Sequence, residues 1–211
     1  MNLDEISDAI RVRFDGRMEA RERALPAARR AIRTCANAIR AIHRSEWDEA
    51  SRLMEEARSA LDEGMQAVRD HPEIRFAGYL QDAQKEYAEA RITEAVVRGA
   101  DRLPTPEEVG VEDAPYLNGV AEAIGEARRH ILDLLRHGHV DRGESILSAM
   151  DDMYYVLVSM DYPDAITMNL RRSTDVARSL IEKTRGDLSV AIVQRQLRDA
   201  LDAHTKDVLG R

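Results

Sequence analysis

Two acidic pairs in this 211-residue chain have residue types and spacing suited to chemistry. Glu86 and Glu89 stand three apart in QKEYAEA, so on a helix they share one face. Glu86 also shares a stripe with Ala83, Ala90 and Val97, which sets a carboxylate at the edge of an apolar seam. Glu122 and Glu126 stand four apart in GVAEAIGEA, flanked by Gly119 and Gly125, where another backbone can come close. If the helices carrying the two pairs face each other, four carboxylates converge. Such a cluster is costly unless a cation sits in it. Carboxylate oxygens are the ligands that hard ions such as Mg²⁺ or Mn²⁺ prefer. Spacing alone carries this reading only part of the way, because Glu pairs at these intervals are commonly solvated helix surface.

The second constellation is basic. Residues 11 to 44 hold ten Arg and only three acids, Asp15, Glu19 and Glu22, in a chain whose net charge is -8. Arg13, Arg17 and Arg21 step by four along one helix face, and Arg29, Arg33, Arg40 and Arg44 continue it. Arg171, Arg172 and Arg178 form a further cluster in LRRSTDVARSLIEKTRG. Arginine forks onto phosphates and stacks on bases, so these positions read as a phosphate track. The competing explanation is a solvated face partly paired with Glu19 and Glu22. An Arg-rich coding bias explains the ratio of Arg to Lys but not the clustering.

Other chemistries lack their residues. A di-iron bundle site needs Glu-x-x-His on two helices, whereas His130 follows Glu126 by four and no second copy exists. His137 and His139 flank Gly138 and read as a loop pair, and Cys35, among small apolar residues, reads as core. There is no Gly-rich phosphate loop, zinc knuckle or nucleophile elbow. A single cysteine allows no intrachain disulfide. The opening MNLDEISDAI lacks a basic region followed by an apolar run, and no stretch approaches the ~18 apolar residues of a membrane span, so a cytoplasmic protein without membrane contact is expected.

The elements that must position these groups are helical throughout. Apolar residues make up 44% of the chain and aromatics only 4%, so the core rests on Ala, Leu, Ile, Val and Met. Helix-period segments run between six prolines with almost no strand signature. The pattern predicts a helix over 3–43 that Pro26 kinks or breaks. A second is expected over 46–70, opened by Ser45 and Asp48 as an acidic capping box, and a third over 73–100. Thr105, Pro106 and Glu108 signal a short helix that Gly110 ends. Further helices are expected over 115–137, 140–160, 164–185 and 188–207, with Gly186 as a stop and Lys183 and Arg185 in the last turn before it. Short loops imply antiparallel neighbours. In the 140–160 helix, Ile146, Met150, Met153 and Leu157 form one stripe, with Leu147, Tyr154 and Val158 beside it; so wide an apolar face suits core or a subunit interface. With no repeat or linker, residues 1–211 read as one all-α domain, an antiparallel bundle of about seven helices.

Three segments resemble the translin family, and within it the translin-associated factor X branch. QKEYAEA (84–90) is similar to the Gln-Glu-Tyr-Val-Glu-Ala motif of that branch. YLNGVAEAIGEARRHIL (116–132) is similar to the family's Tyr-Leu-x-Gly-Val-x-Asp-Leu-x-Gly-Glu-Leu segment. DYPDAITMNLRRSTDVARSLIEKTRGDL (161–188) resembles its C-terminal Leu-Arg-Arg/Lys segment. The resemblance implies a seven-helix bundle assembled into a hollow octamer that binds single-stranded RNA or DNA inside. Either copies of this chain or a translin-like partner chain would complete the shell. For the factor X branch it implies an Mg²⁺-dependent endoribonuclease, with the catalytic acids at Glu86, Glu89 and Glu122 and Glu126 at the neighbouring metal-site acid. One or two Mg²⁺ (or Mn²⁺) ions would activate water and stabilise charge on the phosphate. One departure stands out: the family motif has Asp where this chain has Glu122. The alternatives are a translin-like nucleic-acid-binding protein without chemistry, and a helical structural protein with an unrelated partner.

Overall fold

The computed structural model describes residues 2–209, and among these every regular element is a helix. Six long helices form the body: α1 (Leu3–His43), α2 (Trp47–Ala67), α4 (Tyr79–Arg98), α6 (Asp113–Arg136), α7 (Val140–Ser159) and α9 (Leu170–Leu209). Three single turns connect them: α3 (Pro72–Arg75), α5 (Pro106–Val109) and α8 (Asp164–Thr167). The α1 and α2 hairpin packs on α4, α4 packs on α6, and α6 also carries α7 and α9 on its far side.

Small residues set how closely the layers approach. Ala20, Ala24, Ala28, Ala31, Cys35, Ala38 and Ile42 form the buried stripe of α1. On α2, Gly64 lies under Ala24 and Ala27. Pro26 neither breaks α1 nor ends it. It is exposed while Ala24, Ala27 and Ala28 around it are buried, so packing on the inner face outweighs the lost backbone hydrogen bond on the outer one.

The expected boundaries fail in three places. Ser45 does not cap α2; it takes φ 58°, and Glu46 occupies the N-cap position without a side-chain hydrogen bond. The expected helix over 73–100 is divided, because Gly78 at φ 97° turns the chain between α3 and α4. The helices over 164–185 and 188–207 are redivided. The break falls at Met168 and Asn169, both with left-handed φ, and α9 then runs unbroken through Gly186. Ile181, Thr184 and Leu188 are buried on the inner face around that glycine, so tertiary packing exceeds its cost of about 1 kcal/mol in a helix. Lys183 and Arg185 are therefore mid-helix, and Arg185 pairs with Asp151 on α7. The α5 signals hold: Thr105 and Glu108 make a reciprocal capping box and Gly110 is left-handed.

The α7 face divides as core and surface. Ile146, Leu147, Met150, Met153 and Leu157 are buried, Tyr154 is half-buried and Val158 is exposed.

Candidate metal centre and nucleic-acid groove

The crossing of α4 and α6 is set by Gly119. A Cβ there would stand 2.7 Å from Ala88 Cβ, 2.9 Å from the Lys85 carbonyl oxygen and 3.0 Å from Glu89 N. Only glycine lets the two backbones meet at this point. Gly125 plays no such part, since its neighbour is Leu180 of α9 at ordinary contact distance. Register along the crossing comes from Gln84, which is buried and accepts a 2.8 Å hydrogen bond from the Glu112 N–H at the start of α6. Asn118, also buried, ties α6 to the next layer. It donates to the Thr167 carbonyl and accepts from the Ser173 hydroxyl, at 2.8 and 2.9 Å. These contacts bring the first turn of α9 alongside the acids.

The result is a cluster of Glu86, Glu89 and Glu122, with one carboxylate oxygen of each within 4.8 Å of the others. Glu89 is the most buried, at 9% exposure. Burial, then the neighbouring Glu86, Glu122 and Glu126 charges, push its carboxyl up to about 8. Glu86 is raised too, chiefly by burial, against the pull of Lys85. Below the cluster, burial and the same two α4 carboxylates hold the Cys35 thiol far above its usual range, so it is inert core.

Glu126 is not part of the three-carboxylate group. One turn along α6, it accepts from His43 Nε2 of α1 and from Arg129 at 3.5 Å. The hydrogen bond from His43 holds its carboxyl below the usual range. Among the described residues, His43 Nδ1 and His130 Nε2 are buried without hydrogen-bond partners. His137 and His139 lie at the exposed junction of α6 and α7.

The arginines separate into two sets. Arg172 lines a groove of about 380 Å³ together with Glu89, Glu122, Ser173, Val176 and Leu180. Arg171 pairs with Asp161, and Arg178 is exposed one turn and a half further along α9. Arg13 and Arg21 are exposed, and Arg17 pairs with Glu73. This set is remote: at ~1.5 Å per residue, the stretch from Cys35 to Arg21 alone spans roughly 21 Å along α1. Pairing of the α1 arginines with Glu19 or Glu22 is absent among the described residues.

Two site residues escape the sequence reading. Lys85 places Nζ 2.6 Å from Glu122 and 3.5 Å from Glu86. It is adjacent to Glu86 in sequence, but its main partner is on another helix, so spacing carries no signal for it. His43 reaches Glu126 from the end of α1, a contact across 83 residues.

The residues present fit a divalent cation. Three oxygen donors converge from two helices, and a bound cation would favour the ionised form of the buried Glu89 carboxyl, which burial and neighbouring acids disfavour.

No protein-family model matches the chain. An uncharacterized protein of Methanocaldococcus jannaschii is 32% identical over 183 residues, 86% of this chain and 80% of that protein. Among solved structures, AfC3PO in complex with duplex RNA is similar at TM-score 0.76 and 30% identity, over 93% of this chain and 99% of that one. The crystal structure of AfC3PO alone gives TM-score 0.75 at the same identity, over 93% and 100%. The apo-NeC3PO structure shares the fold at TM-score 0.76 and 19% identity, over 90% and 97%.

Proposed function

The chain belongs to the C3PO/translin family, and from that membership we propose that it is an Mg²⁺-dependent endoribonuclease of the translin-associated factor X branch. In this reading it binds single-stranded RNA, acts as a homo-oligomeric shell of eight copies and works in the cytoplasm. The observation that carries the proposal is the convergence of Glu86, Glu89 and Glu122 within 4.8 Å. A translin-like binding protein has no need of so costly a cluster.

Glu86, Glu89 and Glu122 would hold Mg²⁺ or Mn²⁺, with Glu126, braced by His43, as the neighbouring acid. When bound, the ion supplies Lewis-acid activation of water and charge stabilisation at the phosphate. The chain's own residues do the rest. Arg172, which lines the groove with Glu89 and Glu122, holds a phosphate of the RNA backbone near the acids. Arg171 and Arg178 extend that contact along α9, and Arg13, Arg17 and Arg21 guide more distant phosphates. With aromatics at 4% of the chain, bases stack mainly on guanidinium planes, so sequence preference is weak. AfC3PO has been captured with duplex RNA, so both strandedness states belong in the test.

Self-association is supported by apolar side chains that the single chain leaves in solvent. They are Leu3, Ile6, Ile10, Phe14 and Met18 on α1, Tyr155, Val156 and Val158 on α7, and Val190, Val193, Leu197 and Leu201 on α9.

The deciding experiment is cleavage of labelled single-stranded and duplex RNA with Mg²⁺, Mn²⁺ or EDTA, beside a Glu86→Ala, Glu89→Ala variant. Metal-dependent cleavage absent from the variant is the expected result. Binding without cleavage would move the chain to the second reading, a translin-like RNA- or DNA-binding protein without catalysis. Glu122 in place of the family's Asp is the residue that favours that alternative.

A further inference from the structure

The cluster already contains a cation of its own. Lys85 Nζ is 2.6 Å from Glu122 Oε1 and 3.5 Å from Glu86 Oε1, and it bridges the two helices that supply the carboxylates. It therefore neutralises two of the three carboxylates that would hold a divalent ion.

The residue type suits a cation that leaves. The chain has 28 Arg and only three Lys, Lys85, Lys183 and Lys206. An arginine here would lock both carboxylates with a planar fork, whereas an ammonium is a compact, strongly hydrated charge on a flexible stem. The backbone under it is fixed, since the Lys85 carbonyl lies against Gly119 at the helix crossing. The side chain retains 23% exposure, so the stem has a path to solvent while Glu86 and Glu122 stay in place.

We propose that Lys85 is the resident counter-ion of the carboxylate cluster, holding Glu86 and Glu122 together until a divalent cation displaces it, and that it thereby sets the cation concentration at which the site loads. The inference rests on the metal reading above. Its logic is competition: the ammonium and the divalent ion seek the same oxygens, so removing the ammonium raises affinity for the ion.

The test uses Mn²⁺ alone as probe, titrated into the full chain and followed by electron paramagnetic resonance. Lys85→Gln, which removes the charge and leaves a polar side chain one atom shorter, binds Mn²⁺ at least about tenfold tighter than the unsubstituted chain. Lys85→Arg, which keeps charge, binds no tighter. An independent readout on the unsubstituted chain is amine acylation followed by peptide mass spectrometry. Added Mn²⁺ speeds labelling of Lys85 severalfold, with the exposed Lys183 and Lys206 as internal controls. If Mn²⁺ binds the unsubstituted chain while Lys85→Gln binds it equally or more weakly, or if Lys85 labelling stays constant on loading, this inference is overturned and the metal site stands. If neither chain binds Mn²⁺, the metal site itself is wrong and the inference falls with it. A Lys85→Gln chain that does not fold leaves the decision to the labelling result.

Discussion

Glu89 states the chemical problem of the site: a carboxyl at 9% exposure, among three other acids, whose proton leaves only near pH 8. Its folded pKa lies above its unfolded value near 4.5, so the folded chain binds more protons between those limits. Metal-free stability therefore falls as pH rises from about 4.5 to 8. Glu89→Gln removes that loss and raises metal-free stability at pH 7.5 by on the order of 1 kcal/mol or more, read as a higher urea midpoint. The same proton competes with the cation. Mn²⁺ affinity is expected to climb with pH and to level off above about 8, and a pH-independent affinity would show that Glu89 is not a ligand. Glu86→Ala or Glu122→Ala is expected to lower RNA cleavage by about a hundredfold or more while sparing RNA binding in a filter assay. Full residual activity in either variant would remove the acids from the mechanism.

At the scale of the element, two glycines on packed helices have opposite meanings. A Cβ at Gly119 would press on Ala88, the Lys85 carbonyl and Glu89 N, two of them backbone atoms that cannot yield. Gly119→Ala is expected to destabilise by about 1–3 kcal/mol. It also moves α6 off α4, so Mn²⁺ affinity falls with stability. Gly186 is mid-helix with nothing within 4 Å of its added Cβ. Gly186→Ala is expected to stabilise by about 0.5–1 kcal/mol in thermal unfolding. The contrary result, with a smaller assembly, would place a second copy against that face of α9.

At the scale of the molecule, the groove and the basic track are separate surfaces. Arg172 lines the same groove as Glu89 and Glu122, whereas Arg13, Arg17 and Arg21 lie toward the far end of α1. Arg172→Ala is expected to impair cleavage more than binding. The triple Ala variant at positions 13, 17 and 21 weakens RNA binding and lowers the log-log salt slope by about 2, at ~0.7 per phosphate contact. The outer apolar stripe of α9, with Val193, Leu197 and Leu201 more than half exposed, is where another chain would pack. Leu197→Glu with Leu201→Glu is expected to reduce the assembly in light scattering while leaving helical circular dichroism unchanged. An unaltered mass would move the interface elsewhere.

Helical periodicity and proline and glycine punctuation were enough for the all-α class and for α2, α6 and α7 to within a few residues, and capping chemistry for α5, because these signals are local. The pairing of Glu86 with Glu89 and the role of a small residue at Gly119 were legible for the same reason: neighbours at three or four along a helix share a face. Whether a helix ends was decided elsewhere. Pro26 and Gly186 have the composition of breaks, yet buried side chains around each hold α1 and α9 continuous. The family resemblance already grouped Glu122 with the α4 acids, but only the tertiary structure turned Glu126 toward His43, set Lys85 between the helices and chose Arg172 rather than Arg13 for the groove. Those contacts cross 37 residues for Lys85 with Glu122 and 83 for His43 with Glu126. No local pattern encodes them; they follow from the angle and register at which α4 and α6 cross, which packing of the whole core sets.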